Sequence, residues 1–376
     1  MNENIVCLLS EIDDPETIEK VLKQMDVNDT SQGNSSRNRF ARATLSDLYK
    51  RFLSRRQNRS PSTRAQYKRT IPRFVEFAED NDITNPVEIS SPLVDAYVDH
   101  LQSEYDSDAT ILTYTKNART WLRWLSQREL CDESIYRILN KEELGLTPRA
   151  RDEAIPKSEA TGLLHRLRRR RRGSGMHALT ELLWNGGPRI GGVHSLDVPD
   201  FDPEMEELRF RHRPATGTRL KNGNENSNTA GDGERNIVLK DEVISAIQLY
   251  IETERPDVTD EYGREPLFAT EYGRASRSTL RRWVYEATSC RWSPRDADDC
   301  SCDGSCNPDS NVCPESYYPH AIRRGSIVNH LSGGLRRERA SERFDVSVKV
   351  IKKHYDPRTE QDRLNDRREA VKQSWN

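Results

Sequence analysis

Three stretches between Tyr67 and Leu125 place apolar side chains at intervals of three and four, a period that commits this part of the chain to amphipathic α-helix. Tyr67, Ile71, Phe74, Val75 and Ala78 share one helical face, and Pro72 within that pattern calls for a kink or a place near the first turns. Ser91 followed by Pro92 reads as a cap with proline at the first helical position, opening a helix that buries Leu93, Val94, Tyr97, Val98 and Leu101. Ile111, Thr115, Ala118, Leu122 and Leu125 form the third stripe, with Trp121 and Trp124 adding bulk beside it. Residues 41 to 140 are therefore expected to form a helical bundle.

Periodicity is interrupted between Gly145 and Pro156, where Pro148 and several charges intervene. Beyond it the pattern is mixed. A helix through Ala178, Leu182 and Leu183 runs into Asn185-Gly186-Gly187-Pro188, and Leu208 to His212 and Arg235 to Leu239 read as short strands around a polar, Gly/Asn-rich loop. Val243 to Ile251, Ser278 to Ala287, Ile322 to Leu331 and Val346 to Ile351 read as helices. The expected fold class is mainly α with a small antiparallel β-sheet (α+β). The expected division is an N-terminal extension and linker at 1–40, a helical domain at 41–140, a linker at 141–156, a second domain at 157–365 and a tail at 366–376. Residues 1 to 27 read as one or two short helices and Asn28 to Arg39 as a flexible linker. No internal repeat is present.

A length of 376 residues lets each of two domains bury its own core. Hydrophobic content of 34%, charged content of 32% and mean hydropathy of −0.90 describe a very polar, soluble chain with no membrane span. Glu3, Glu11, Asp13 and Asp14 leave the N-terminus without the basic flank of a signal peptide, so a cytoplasmic location is expected. The net charge of −2 and pI near 6.5 argue mildly against nucleic acid, but net charge hides distribution. Six arginines lie within Arg166 to Arg172, and Arg323, Arg324, Arg336, Arg337 and Arg339 form a second basic group, while acids gather at Asp296 to Asp303. Any one such run is most often a solvated face.

Five residues in fixed order, Arg189, Lys221, His320, Arg323 and Tyr355, carry more information. Arg189 lies in Gly186-Gly187-Pro188-Arg189-Ile190-Gly191-Gly192-Val193-His194-Ser195-Leu196, followed by Asp200; His320-Ala321-Ile322-Arg323 precedes Gly325 and Ser326; His354-Tyr355-Asp356 stands near the C-terminus. Singly, each is a common surface pattern. Together they resemble the three boxes of the tyrosine recombinase (phage integrase) family, in its archaeal-type site-specific branch. Pro266-Leu267-Phe268-Ala269-Thr270, and Gly273-Arg274 with Ser278 and Thr279, resemble the segment before the second box, and the resemblance spans roughly residues 41 to 365.

The resemblance implies a helical core-binding (SAM-like) DNA-binding domain at 41–140 and a catalytic domain at 157–365, gripping duplex DNA from opposite sides. Arg189 and Arg323 would clamp the scissile phosphate, since planar guanidiniums give permanently charged, bidentate donors to phosphate oxygens. The spacing of His320 and Arg323 puts both on one helical face. Tyr355 would be the nucleophile, forming a 3′-phosphotyrosyl intermediate; Lys221, resembling the family's hairpin lysine, would protonate the leaving 5′ oxygen, and His320 would move protons near neutrality. No cofactor is expected for the chemistry. The expected partners are double-stranded DNA, three further copies in a tetrameric synapse, and accessory DNA-bending proteins, with no membrane.

Two positions depart from the family. Val346 stands nine residues before Tyr355, where a His or Trp is common, and Gly192 stands three after Arg189, where an acid is common. His354 is the nearest substitute for the former. These departures keep two other readings open, a catalytically degenerate DNA-binding protein of the same fold and a type IB-like topoisomerase.

Cys290, Cys300, Cys302, Cys306 and Cys313 crowd one Gly/Asp/Asn/Pro-rich insertion at 290–313, with Cys7 and Cys131 elsewhere. The spacing is not that of a standard finger. A segment with so little apolar content could be ordered by structural zinc on four of the five thiolates; free thiols and disulfides are the alternatives, the latter disfavoured in a cytoplasmic setting.

Overall fold

The structure is a computed structural model, and it describes residues 43–148, 153–221, 233–292, 302, 305–307, 312–356, 364, 368 and 371–372. The expectations for residues 1 to 39, for the acidic run at 296–301 and for Cys300 lie outside the described residues. Two compact units divide between Ala150 and Arg151.

The first unit holds α1 (Leu45–Ser54), α2 (Pro61–Asp80), α3 (Ser91–Glu104), α4 (Asp108–Ser126) and α5 (Glu133–Arg137). Helix starts follow local chemistry: Thr44 accepts from the amide of Asp47, and Ser60 accepts from that of Thr63 with Pro61 at the first helical position. α3 has Ser90 at its N-cap position, without a side-chain capping bond and one residue earlier than the sequence suggests, which puts Pro92 at the second helical position. α2 continues through Pro72 to Asp80, so that proline sits mid-helix and not near its start. All three apolar stripes are buried in one core, where Phe74 meets Tyr97 and Trp121 edge-on at 4.9 and 6.0 Å. One polar tie crosses it: buried Asn117 donates to Thr70 Oγ1 at 3.0 Å, and the Thr70 hydroxyl in turn donates to the Gln66 carbonyl. An unmatched amide there would cost about 1–3 kcal/mol.

The second unit is built around α7 (Gly175–Gly186), buried on nearly every face and packed by α6 (Lys157–Arg170), α9 (Asp241–Thr253), α10 (Arg277–Ala287) and α11 (Pro319–Ser332). After the short α8 (Ile190–His194) come β1 (Phe201–Asp202), β2 (Glu207–Phe210) and β3 (Arg235–Val238), an antiparallel sheet in that order with Leu208 opposite Ile237 and Phe210 opposite Arg235. β4 (Ala269–Thr270) and β5 (Gly273–Arg274) pair as a small ribbon. Leu208, Phe210 and Ile237 point inward, which is the alternation that a sheet with one covered face requires.

The C-terminal stretch differs from its sequence reading. In place of one helix from Val346, α12 (Arg337–Phe344) ends on Asp345, which is left-handed at φ 52°, and a new helix, α13 (Val348–His354), starts under a Ser347 cap. Val346 falls in the break. Aspartate tolerates the left-handed region better than most residues, and a serine two positions on supplies the next cap, so the break is locally encoded. The arginine run belongs to the last turn of α6, where positive charge complements the carbonyl end of the helix. Leu167 alone turns inward, Arg168 reaches the buried Glu181 carboxylate at 2.6 Å, and Arg169 to Arg172 are exposed.

Candidate active site

The turn at Gly186-Gly187-Pro188 delivers Arg189 from the C-terminus of α7. Gly187 is left-handed at φ 58°, and a Cβ there would sit 2.6 Å from the Phe344 ring, so only glycine lets this turn approach α12. Gly187 also offers its carbonyl to Arg323, on the second turn of α11, at 2.6 Å. Arg323 gives its other terminal nitrogen to the Phe344 carbonyl at 2.5 Å. One residue on, Arg189 donates to the Asp345 carboxylate and, at 2.6 Å, to the Asp345 carbonyl. Both guanidiniums are thus held by adjacent residues of a single break between helices.

Tyr355 arrives at the same place from the end of α13. Its phenolic oxygen lies 3.3 Å from Nε2 of His320, and its ring packs in a small core with Phe344, Val346, Ile351 and Ile327. Arg324 holds this segment to α11, donating to the His354 carbonyl at 2.9 Å with its guanidinium 5.4 Å from the Tyr355 ring centre. Behind the phenol, Arg337 pairs with Asp356, whose side chain is fully buried. The structure therefore brings together Arg189, His320, Arg323 and Tyr355. Lys221 is exposed and ends the described stretch before residue 233, but its charge is felt at His320. His354 is exposed and contributes its carbonyl to Arg324.

The site carries a surplus of positive charge. Arg323 is 1% exposed and lies near Arg189 and Arg235; burial, then repulsion from Arg189, lowers it to about 9, with Tyr355 and Asp345 opposing. Its terminal nitrogens meet neutral carbonyls, not a carboxylate, and its Nε has no hydrogen-bond partner among the described residues. Arg235, stacked 4.2 Å over Phe210 and donating to the Arg343 carbonyl at 2.8 Å, is lowered to about 10, chiefly by burial. His320, open to solvent on one side, is lowered to about 4 by lost hydration and then by Arg323, Arg324, Arg189 and Lys221. It is neutral at physiological pH, and with its proton on Nδ1 its Nε2 can accept the hydrogen bond of the phenol. Buried cations that outnumber their carboxylates are destabilised until an anion joins them.

The sequence reading missed Asp345 and Arg235, and had Arg324 and Arg337 only as members of a basic group. Asp345 answers the question posed by Gly192: the carboxylate that orients Arg189 comes from 156 residues away instead of three. A side chain at Gly192 would meet the Phe210 ring at 3.3 Å, the ring on which Arg235 stacks. Val346, 7% exposed, packs in the core beneath Tyr355 and offers nothing to a phosphate. The only sequence signal for Asp345 was an acid directly before that position. Of the clustered cysteines, Cys290, Cys302, Cys306 and Cys313 gather with their sulfurs all within 4.8 Å of one another.

A helical unit is thus followed by an α+β unit in which two arginines, an imidazole and a phenol gather at one helix break. Residues 46–129 match the family model "Phage integrase, N-terminal SAM-like domain". The chain is 23% identical over 235 residues to tyrosine recombinase XerD of Staphylococcus epidermidis, covering 62% of this chain and 72% of that one. Among solved structures it resembles the Tn1549 transposon integrase in complex with circular intermediate DNA, at TM-score 0.62 and 14% identity over 88% of this chain and 99% of that one. It also resembles a lambda integrase dimer bound to a COC′ core site, at TM-score 0.57 and 13% identity over 88% and 81%. The chain has the fold of these integrases, and its helical unit matches the SAM-like domain model over residues 46–129.

Proposed function

We propose that this protein is a site-specific DNA recombinase that cleaves and rejoins DNA through a phosphotyrosyl bond on Tyr355. The observation that carries the reading is the 3.3 Å approach of the Tyr355 phenol to His320 Nε2 beside two guanidiniums fixed on residues 344 and 345. Arg189 and Arg323 bind the non-bridging oxygens and offset the charge that grows on them in the transition state. The Tyr355 oxygen attacks phosphorus as its proton passes to neutral His320; the bond from phosphorus to the 5′ oxygen breaks, and Lys221 supplies the proton to that leaving oxygen. A phosphodiester is exchanged for a phosphotyrosyl ester, so the reverse step, attack by a 5′ hydroxyl of a second strand, needs no outside energy source.

Duplex DNA as substrate, a four-copy synapse, DNA-bending helpers and a cytoplasmic location belong to this reading. The archaeal-type placement does too, and rests on the three sequence boxes alone. No helix among the described residues is long and apolar enough to cross a membrane. The DNA that the protein protects from nuclease would supply a nicked suicide substrate. On it the wild-type chain should form a covalent adduct, and Tyr355→Phe should form none while still binding. The substitution removes one 3.3 Å hydrogen bond and should change stability by no more than about 1 kcal/mol. A wild-type chain that binds the site but never becomes attached to it would leave a DNA-binding protein without strand transfer; relaxation of supercoils by a single copy would point to a topoisomerase.

A further inference from the structure

Among the described residues between α10 and α11, Tyr317 joins the main core of the unit with Trp292 and Tyr318 packed against it. Cys290, Cys302 and Cys313 form a separate buried cluster, with Cys306 packed against them. Three cysteines do not make a hydrophobic core, and each thiol removed from water contributes little compared with the entropy of ordering a polar loop. Something else must hold this part of the chain.

Sulfur spacing identifies it. Cys290 and Cys302 are 3.5 Å apart, Cys290 and Cys306 3.8 Å, Cys302 and Cys313 3.9 Å, and all four sulfurs fall within 4.8 Å of one another. A disulfide would bring one pair to about 2.0 Å and leave the others to diverge. A tetrahedron of thiolates about a metal at about 2.3 Å has edges of about 3.8 Å; three of the six sulfur separations lie close to that edge and the other three are within 4.8 Å. Four closed sulfur ligands leave no open position for substrate, so such an ion would be structural.

We infer that Cys290, Cys302, Cys306 and Cys313 form a structural zinc site that fixes the approach to α11. Cys290 lies just past the end of α10, and Cys313 seven residues before His320. Between them and the catalytic helix, Tyr317 exchanges two hydrogen bonds with the Thr288 hydroxyl, at 3.0 and 3.2 Å, and the Ser316 hydroxyl donates to the Tyr285 carbonyl at 2.7 Å. The Tyr317 phenol donates to Glu159 at 2.8 Å, tying the same residue to α6. An ion would close this strap at its far end, joining the C-terminus of α10 to the entry of α11. The inference stands on thiol geometry and does not depend on the strand-transfer reading.

The test is metal and thiol analysis of the intact purified chain. One zinc per chain is expected, with cobalt(II) replacing it to give the intense ligand-field and thiolate charge-transfer bands of a tetrahedral four-sulfur site. Removing zinc with a chelator should lower the melting temperature and raise amide hydrogen exchange across residues 290–320. Cys302→Ser and Cys313→Ser should lose the metal, whereas Cys300→Ser and Cys131→Ser should keep it. If the ligand variants fail to fold, the cobalt spectrum and thiol count of the wild-type chain decide the matter. A metal-free chain with every thiol reactive and stability indifferent to chelation would overturn the inference, as would disulfide-linked cysteines, bound iron in place of zinc, or loss of metal on Cys300→Ser.

Discussion

Replacing Asp345 by asparagine isolates the contact that orients the first arginine. Asparagine is the residue best able to keep the left-handed backbone at φ 52°, so the break between α12 and α13 should survive, and so should the two carbonyls that receive Arg189 and Arg323. What changes is the charge on the oxygen facing Arg189. A hydrogen bond to a charged group contributes about 1.5–3 kcal/mol against about 1 for a neutral one, and this carboxylate is only 16% exposed, so the loss should be about 1–2 kcal/mol. If the whole of that difference is felt where Arg189 holds the phosphate, covalent attachment slows by about 5- to 30-fold. The same loss lowers the melting temperature of a unit this size by about 2–4 °C per kcal/mol. The assay is single-turnover adduct formation on nicked substrate, with DNA binding measured alongside. Asp345→Ala should be worse than Asp345→Asn, because it removes the oxygen and adds left-handed backbone strain of about 1 kcal/mol. An Asp345→Asn chain that attaches to DNA at the wild-type rate would refute the claim that this aspartate does the work of the acid missing at Gly192.

Further outcomes follow from other contacts. Gly325→Ala would drive a methyl into the Ile155 carbonyl and to within 2.8 Å of Ile155 Cγ2, so a loss of about 1–3 kcal/mol is expected, read as a lower urea midpoint; an unchanged midpoint would show that the segment at Ile155 yields freely. His320 should stay neutral to about pH 5 and titrate near 4, against 6.5 in the unfolded chain, as its imidazole NMR signal can report. Because the folded value is the lower one, the unfolded chain binds the proton first, and stability contributed by this group is present above about pH 6.5 and lost as pH falls toward 4. His320→Gln should flatten that part of the urea-unfolding profile; an equal acid slope in both proteins would count against the depressed value.

The periodic stripes at 67–78, 93–101 and 111–125 sufficed for the helical unit, because a helix that buries one face states its period directly in the chain. Arg189, His320, Arg323 and Tyr355 were legible for a different reason: each lies in a short box whose glycine, helix or cap is encoded locally. Gly187 and Gly325 are examples, since each residue's lack of a side chain is required by a close approach. Even so, the boxes named the side chains without stating what holds them.

That was decided by folding. Asp345 meets Arg189 across 156 positions, Arg235 reaches the site by pairing opposite Phe210, and Arg337 finds Asp356 only because two helices turn back on each other. No local period encodes such contacts; they depend on which segments become neighbours once the cores have packed. The cysteines divide in the same way: their crowding is visible in the chain, but which four sulfurs lie within 4.8 Å of one another is settled only by the fold. Sequence thus determined which chemical groups this protein carries and the helices that bear them. Tertiary structure decided which charges face each other, because electrostatic partners are chosen by distance in space and not along the chain.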